Sequence, residues 1–436
     1  MQYIPQTTVI KAKAVIDGIS SRPLANASVV IEKTKIKEVV PAGKPVPEGP
    51  HIRTLDYSSS YLLPGFVDTH IHLIYGVYGA TYEDVMFNDS DDIMLLRAAR
   101  NAGVHLRCGV TTLRENGARN KITFNLREGW RRGYLKSPRL YLCGRPVTLT
   151  GGHFWWCNQE ADGTDGVRAA VRALVKDGAD HIKIMASGGG TAITDNRKPS
   201  YSVEELRAIV DEAHNLGKKT TAHCLATKSL ENALDAGVDM IEHAGFLEPD
   251  GTYKYYPRIG ERIAKQGVYV CPTVQTGYRQ REVLLARQAE SPLSAADMKR
   301  LDGLKAKCES QLEFVGRMWK DGIKIVSGTD AIQIFGEYTL GLELHAEAGM
   351  SNMDIIKTST YEAARCMGIE GLVGAIKPGL EADLLVVDND PLKDMKALRK
   401  MTMVMQAGEV ISFDNYPYAN SPTENRGHTT LFNIRS

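Results

Sequence analysis

Residues 62–73 read Leu-Leu-Pro-Gly-Phe-Val-Asp-Thr-His-Ile-His-Leu, a short apolar segment that ends in two histidines. The apolar composition predicts a buried strand, and in an extended strand alternate side chains share one face. We therefore expect His70 and His72 on one side and Ile71 on the other. Two neutral imidazoles at the end of a strand can form half of a site for a first-row transition metal. Two ordinary strand histidines are the alternative.

The length and charge of the chain limit the classes of protein to consider. Its 436 residues fit one barrel of about 250 residues or more with an accessory domain, or two to three smaller units. Lys and Arg number 53, Asp and Glu number 52, and no long basic block occurs. We therefore expect a small-molecule substrate and no nucleic-acid partner.

The cysteines and the apolar segments predict the compartment. The seven cysteines are scattered and form no Cys-x-x-Cys pair, which is typical of a reduced intracellular protein. The first residues lack a basic stretch followed by an apolar core, and no uncharged apolar run approaches about 18 residues. We expect a cytoplasmic protein with no membrane partner.

Short runs of alternating apolar and polar residues occupy both ends of the chain. They predict antiparallel strands over 8–61 and further strands over 376–413. Strands from both ends that flank a long middle segment predict one small discontinuous β-sandwich domain, made from 1–61 and 373–414. Residues 415–436 are rich in Asn, Pro and Thr, and we expect them to form a polar C-terminal arm.

Strand patterns alternate with helical patterns through the middle of the chain. The predicted strands are 66–73, 109–114, 139–143, 181–186, 219–223, 240–243, 268–273 and 324–328. Predicted helices include 202–216, which opens with a Ser-x-x-Glu capping box, and the charged segment 294–321. Eight alternating units predict an α/β fold with a (β/α)8 TIM barrel over 62–372.

Side chains that can bind a metal or transfer a proton lie at the ends of several predicted strands. After the two histidines of the first strand, they are Lys183 on the fourth, His223 on the fifth, His243 on the sixth and Asp330 just after the eighth. The carboxyl ends of barrel strands form the active site, so these residues are expected to converge there.

The motifs around these residues resemble those of the amidohydrolase superfamily, specifically members similar to imidazolonepropionase, to metal-dependent prolidases and to arylamide, urea and carbamate hydrolases. The motifs are Pro-Gly-Phe-Val-Asp-Thr-His-Ile-His (64–72), Gly-Val-Thr-Thr (109–112), Ile-Lys-Ile-Met-Ala-Ser-Gly-Gly (182–189), Thr-Ala-His-Cys (221–224), Ile-Glu-His-Ala (241–244), Ser-Gly-Thr-Asp-Ala (327–331) and Gly-x-Ile-x-Pro-Gly-x-x-Ala-Asp-Leu (374–384). The resemblance covers nearly the whole chain.

The resemblance implies a site for two divalent metal ions. The implied ligands are His70, His72 and Asp330 for the first ion, His223 and His243 for the second, and Lys183 as the bridge. A lysine ammonium has no lone pair, so Lys183 could bridge only as a carbamate formed with carbon dioxide. A barrel lysine paired with an acid is the alternative. We expect zinc, although manganese, cobalt and iron accept the same ligands.

The resemblance also implies hydrolysis of an acyclic C–N bond next to a carbonyl by a metal-bridged hydroxide. Asp330 would take the proton of the water as the general base and pass it to the leaving nitrogen as the general acid. Relatives place a histidine at the position of His153 to polarise the substrate carbonyl. A loop histidine that only bonds its neighbours is the alternative for His153. We expect a homo-oligomer, since relatives usually assemble.

Residues near the predicted mouth of the barrel bear on the substrate. Trp155 and Trp156 follow a glycine-rich loop, where they favour the wall of an aryl-binding pocket. Leu225, after the fifth-strand His-Cys, is apolar where relatives that bind a substrate carboxylate often have a polar or basic residue. Together the three residues favour an aryl amide, a phenylurea or a carbamate as the substrate.

A second substrate class follows from the loop 188–200. Arg197 or Lys198 in this loop could bind a carboxylate, and Tyr201 could donate a hydrogen bond at the rim. These contacts would favour a dipeptidase or an N-acyl amino acid hydrolase, while simple solvent exposure is the alternative for the two cations. Glu115 follows Arg114 where many relatives carry an Arg-Asp pair, and its effect on specificity is open.

The same fold is compatible with two other functions. A mononuclear deaminase or cyclic-imide hydrolase would have little use for a bridging ligand on the fourth strand, so Lys183 argues against it. A non-catalytic scaffold would be expected to lose ligands, whereas all six positions are filled here. The sequence therefore predicts a metal-dependent hydrolase.

Overall fold

The computed structural model describes residues 7–76, 82–332 and 334–411. The strands among them are β1 (Thr7–Val15), β2 (Leu24–Ala25), β3 (Ser28–Glu32), β4 (Lys35–Val40), β5 (Ile52–Pro64), β6 (Phe66–Ile71), β7 (Val110–Glu115), β8 (Arg139–Leu142), β9 (Val147–Thr148), β10 (Gln159–Glu160), β11 (His181–Met185), β12 (Lys219–His223), β13 (Met240–Glu242), β14 (Tyr269–Cys271), β15 (Lys324–Ile325), β16 (Leu384–Val387), β17 (Met403–Gln406) and β18 (Glu409–Val410).

The helices lie mostly between the strands of the middle segment. They are α1 (Tyr82–Asn88), α2 (Asp91–Arg107), α3 (Ile122–Arg131), α4 (Gly163–Asp177), α5 (Val203–Asn215), α6 (Thr227–Ala236), α7 (Pro257–Gln266), α8 (Val274–Glu290), α9 (Ala295–Lys320), α10 (Tyr338–Glu347), α11 (Asn352–Thr358) and α12 (Tyr361–Met367), with a short 3-10 helix at Met395–Arg399. None of the helices in the described ranges has the length and apolar character needed to cross a bilayer.

Strands from both chain ends form one sheet. Its order is β18-β17-β16-β5-β1-β3-β4, and β2 pairs with Ala14 and Val15 at the end of β1. The long strand β5 joins the two ends, because it pairs with β1 on one side and with β16 on the other. β1 and β3 are antiparallel as expected, but β1 and β5 are parallel. The hairpin of β3 and β4 occupies one edge of β1, so β5 pairs with the opposite edge.

The middle segment is an α/β arrangement with parallel strands, as the alternating pattern predicted. One parallel sheet has the order β6-β7-β8, and the other has the order β10-β9-β11-β12-β13-β14-β15. Backbone hydrogen bonds link the two sheets at both ends of β6-β7-β8, from Asp180 N to Leu142 O at 2.7 Å on one side, and from Thr69 N to Ser327 O at 3.1 Å and Asp330 N to His70 O at 2.6 Å on the other. Every residue of β6, β7 and β11 is buried, as expected of parallel strands covered on both faces.

Two helices show how the sequence fixes the segments around the strands. α5 begins after Ser202, whose side chain accepts a hydrogen bond from Glu205 N, and the Glu205 carboxylate accepts one from Ser202 N in return. α9 begins after Ser294 in a similar way, with Asp297 N as the donor, and it packs against α8. The predicted arm at 415–436 lies outside the described residues.

Candidate metal centre and active site

The side chains predicted to bind metal meet at the carboxyl ends of the parallel strands. β6 carries His70, and His72 follows directly after it. Lys183 lies within β11, and His223 ends β12. His243 comes directly after β13, and Asp330 follows β15 by five residues. The structure therefore brings all six predicted ligands to one cavity, which they line together.

The first group of ligands is formed by His70, His72 and Asp330. The Nε2 atoms of the two histidines are 3.4 Å apart, and Asp330 Oδ1 lies 3.4 Å from His70 Nε2 and 3.5 Å from His72 Nε2. His72 Nδ1 donates a hydrogen bond to Gly117 O at 3.1 Å. This bond places the proton of His72 on Nδ1 and leaves the Nε2 lone pair directed at the cavity.

The second group is formed by His223 and His243, whose ring centroids are 4.5 Å apart. His243 Nδ1 lies 2.6 Å from Thr273 Oγ1, and His223 Nε2 donates to Gly188 O at 3.2 Å. Burial is the main cause that lowers the pKa of both imidazoles well below the ordinary value. Both rings are therefore neutral at pH 7, the form in which imidazole binds a metal.

Lys183 lies in the cavity without a partner. The residue is 1% exposed, and its Nζ has no hydrogen-bond partner among the described residues. Burial lowers the pKa of its amine. A buried ammonium without a partner is costly, so the alternative of an ordinary lysine paired with an acid is not the arrangement seen. The unpartnered amine amid four imidazoles and a carboxylate fits a carbamate that bridges two metal ions.

Glu242 is a residue of the site that the sequence interpretation missed. It is fully buried at the end of β13, and its carboxylate accepts hydrogen bonds from His70 Nδ1 at 2.7 Å and Thr221 Oγ1 at 2.6 Å. Arg114 and Asn116 also donate to it, at 3.1 and 3.2 Å. Burial alone would raise the pKa of Glu242, but the neighbouring positive charges hold it below its ordinary value. An anionic Glu242 thus fixes the orientation and tautomer of His70.

The loops that carry His243 and Asp330 adopt strained backbone conformations. His243 has φ 69° and Asp330 has φ 48°, both in the left-handed region that non-glycine residues rarely adopt. Such conformations cost about 1–3 kcal/mol each and occur preferentially at functional sites. Asp68 holds the second loop by accepting hydrogen bonds from Thr329 N and Thr329 Oγ1, at 3.1 and 2.7 Å. Burial raises the pKa of Asp68 to about 7.

His153 lines the same cavity, with its ring centroid 4.8 Å from that of His223. Thr191 Oγ1 accepts a hydrogen bond from Phe154 N at 2.9 Å and lies 2.8 Å from His153 Nδ1. When the Thr191 hydroxyl donates to Nδ1, the imidazole proton lies on Nε2, where it is available to a ligand. Burial lowers the pKa of His153 to about 3, so the ring is a neutral donor at pH 7.

The residues predicted to form an aryl pocket lie at different distances from the cavity. Trp155 and Trp156 do not appear among the described residues that line the cavity, whereas Phe154 does. The two indole rings lie 5.7 Å apart and pack against Phe87 of α1, at 6.3 and 6.2 Å. Leu225 lines the cavity as expected.

The residues of the loop 188–200 predicted to contact the substrate have partners within the protein. Arg197 is exposed and forms two hydrogen bonds to Asp195, from Nε at 2.8 Å and from one terminal nitrogen at 3.0 Å. Lys198 is exposed, 3.8 Å from the same carboxylate. Tyr201 is buried and donates to Ala161 O at 2.9 Å. None of these three residues lines the cavity, although Asn196 of the same loop does.

Three further residues that the sequence interpretation missed line the cavity from α9: Arg300, Lys307 and Gln311. The sequence predicts α9 only as a charged helix. Its position at the cavity depends on how α8 and α9 pack together after β14, which has no local sequence pattern.

Comparisons with known proteins bear on the family to which the chain belongs. The amidohydrolase family model matches residues 61–411. Ochratoxinase of Aspergillus niger is 26% identical over 443 aligned positions, which cover 93% of this chain and 86% of that protein. The crystal structure of a Xaa-Pro dipeptidase with bound methionine in its active site has a TM-score of 0.81 and 26% identity, and covers 93% of this chain and 100% of its own.

A prolidase complexed with N-methylphosphonate-L-proline has a TM-score of 0.80 and 25% identity, with 93% of this chain and 99% of that chain covered. The family match extends over most of the chain and includes the segments that carry the histidines, Lys183 and Asp330. The chain therefore belongs to the amidohydrolase family and is a hydrolase that acts on carbon–nitrogen bonds.

Proposed function

We propose that the protein is a binuclear metal-dependent hydrolase that cleaves an acyclic C–N bond next to a carbonyl. The observation that carries this proposal is the unpartnered Nζ of Lys183, buried among four imidazoles and a carboxylate. In our proposal the strands form a closed (β/α)8 TIM barrel. The cytoplasmic location and the homo-oligomer expected from the sequence stay predictions.

We assign His70, His72 and Asp330 to one divalent ion, His223 and His243 to the other, and a carbamate on Lys183 to both. Zinc is the proposed metal, with manganese, cobalt and iron as the alternatives that suit the same ligands. When bound, the two ions would lower the pKa of a water molecule and polarise the substrate carbonyl.

The protein side chains would move the proton and orient the substrate. Asp330 Oδ1, which is 3.4 Å from His70 Nε2, is placed to accept a proton from the attacking water and to return it to the leaving nitrogen. His153 would donate its Nε2 proton to the carbonyl oxygen as negative charge develops there. Glu242 would keep His70 in the orientation that the site requires.

Two substrate classes fit this chemistry. The preference for an aryl amide, phenylurea or carbamate rested on Leu225, Trp155 and Trp156, and the two indole rings pack against Phe87. Phe154 and Leu225 still offer apolar surface to such a group. A dipeptide or N-acyl amino acid is the second candidate, favoured by the cations that line the cavity. The cavity volume of about 250 Å³ suits a small substrate of either class.

The test is product release by mass spectrometry from metal-loaded protein incubated with N-acyl amino acids, dipeptides, anilides, phenylureas and carbamates. We expect cleavage of at least one class, and a loss of about 10²–10⁴-fold in kcat for Asp330→Asn. Metal content measured on the same samples distinguishes the loss of the proton-transferring carboxylate from the loss of a bound metal ion. Asp302→Asn, an exposed position on α9, serves as the matched control. Near-native turnover by metal-loaded Asp330→Asn would show that this role for Asp330 is wrong.

A further inference from the structure

One face of α9 presents cations to the cavity. Arg300, Lys307 and Gln311 are spaced by seven and four residues, so they lie along one side of the helix. All three line the cavity, while Lys305, between the two cations in sequence, points to solvent and lies 3.7 Å from Asp302. The helix thus places a lysine, an arginine and an amide on the wall of the cavity that contains the proposed metal ligands.

Lys307 is held in place but has no partner for its charge. Its residue is half-buried, and it makes no hydrogen bond or ion pair with the described residues. The stem packs against α8, where a Cβ built at Gly277 would lie 3.6 Å from Lys307 Cδ. Arg300 likewise makes no ion pair within the described part of the chain. A half-buried cation is normally paired, so Lys307 is available to a ligand, and Arg300 is an exposed cation on the same side of the helix.

The acidic residues of the cavity are too few to neutralise these cations. Among the described residues that line it, Asp330 is the only acid, beside Lys183, four metal-ligand histidines and His153. Asp330 is committed to the proposed metal site. Two divalent ions would add further positive charge, so the cavity calls for an anionic ligand.

We propose that Lys307, assisted by Arg300, binds a carboxylate of the substrate, so that the enzyme acts on N-acyl amino acids or dipeptides rather than on neutral amides and ureas. This inference rests on the proposed function, because it concerns the substrate of that same site. Arg197, the candidate from the sequence, is occupied by Asp195 and stands outside the cavity. Lys307 takes that role from α9 instead of the loop 188–200.

A different role for Lys307 must be separated from this one. Its charge acts on Asp330, where burial raises the carboxyl pKa and nearby cations, Lys307 among them, oppose the rise. A lysine that only adjusts Asp330 would affect the hydrolysis of every substrate equally. A carboxylate-binding lysine would affect only substrates that carry the carboxylate.

The first experiment measures kcat/KM for matched pairs of N-acyl amino acids and dipeptides, each as the free acid and as the C-terminal amide. We expect wild type to prefer the acid by about 10- to 100-fold, the range of a hydrogen bond between charged groups. Lys307→Met should abolish that preference by slowing the acids alone, and Lys307→Arg should retain part of it. Lys305→Met, on the exposed side of the same helix, should behave as wild type.

The second experiment measures binding without turnover. Isothermal titration calorimetry of an N-acetyl amino acid with metal-loaded Asp330→Asn protein should give a Kd that rises about 10-fold or more when Lys307→Met is added. If neither acids nor amides are cleaved but binding still depends on Lys307, this inference stands and the proposed function fails.

Three outcomes would overturn the carboxylate assignment. One is an equal loss on acids and amides in Lys307→Met, which would make Lys307 a residue that acts through Asp330. The second is a wild-type preference for amides, anilides or ureas over the free acids. The third is binding of the N-acetyl amino acid that is unchanged by Lys307→Met.

Discussion

Glu242 acts on the proposed metal site through His70. Its carboxylate is buried and fully engaged by four donors, of which His70 Nδ1 and Thr221 Oγ1 make the shortest contacts. A carboxylate in this position raises the basicity of the histidine and fixes its ring orientation. The same residue also neutralises part of the positive charge of Arg114, 3.1 Å away.

We predict that Glu242→Gln weakens metal affinity about 10- to 100-fold, because His70 loses its charged partner while the side-chain volume stays almost the same. Competition with a metal-binding dye would measure the affinity. Glu248→Gln provides a control, since that carboxylate bonds Thr227 away from the site. A metal Kd within about twofold of wild type would contradict a positioning role.

The order of the motifs was sufficient to predict which residues meet in one cavity, where we propose that they bind metal. Glu242 was within a quoted motif but was overlooked, although an acid in a buried strand beside a histidine needs a partner. Lys307 could not be found in this way, because nothing local distinguishes it from Lys305 on the same charged helix. The contacts of Trp155 and Trp156 with Phe87 could not be predicted, since a loop sequence does not show which side an indole ring faces.

α10 carries a buried histidine that links folding to pH. His345 is 2% exposed, its Nδ1 has no hydrogen-bond partner among the described residues, and burial lowers its pKa to about 4. An unfolded chain protonates the same histidine near pH 6.5. Between these two values the unfolded state binds more protons than the folded state, so stability falls as the pH falls from 6.5 toward 4.

We predict that His345→Gln removes up to about 1.4 kcal/mol per pH unit from the slope of unfolding free energy against pH between 6.5 and 4. Denaturant titrations at several pH values would measure both slopes. The substitution lowers stability at every pH by leaving a buried amide, but that offset does not change the slope. Above pH 7 the two slopes should coincide, and parallel curves below pH 6.5 would contradict the assignment.

The secondary-structure prediction was most accurate where apolar strands end in a polar residue. β12 has the predicted bounds, and β6, β7, β8, β11 and β13 differ from the prediction by one or two residues at an end. β15 is shorter than predicted, and ends at Ile325. Beyond it the chain turns to place Asp330 in a left-handed conformation with its N–H donating to His70 O, a tertiary contact with no local sequence pattern.

The sheet made from both chain ends supports the proposed metal centre directly. β5 ends at Pro64, and β6, which carries His70, begins at Phe66. The single residue between them must be glycine, since a Cβ at Gly65 would lie 2.2 Å from Thr111 Oγ1. The connection is therefore short and closely packed, so the strand with the first ligand extends directly from the terminal sheet.

Metal removal should destabilise the entire chain as well as stop catalysis. The proposed ligands in the cavity are four imidazoles, an amine and a carboxylate from different parts of the chain, and only the folded chain brings them together. An ion that binds the folded state alone stabilises it by about 2.7 kcal/mol at 100 times its Kd. We predict that chelator-treated protein unfolds at a lower temperature, and that added zinc restores both Tm and activity.

A variant with His223→Asn and His243→Asn should show a smaller zinc-dependent shift in Tm, because one ion loses its histidines. Equal Tm values for treated and zinc-loaded wild-type protein, with measured metal bound only in the latter, would mean that the ions contribute nothing to the fold.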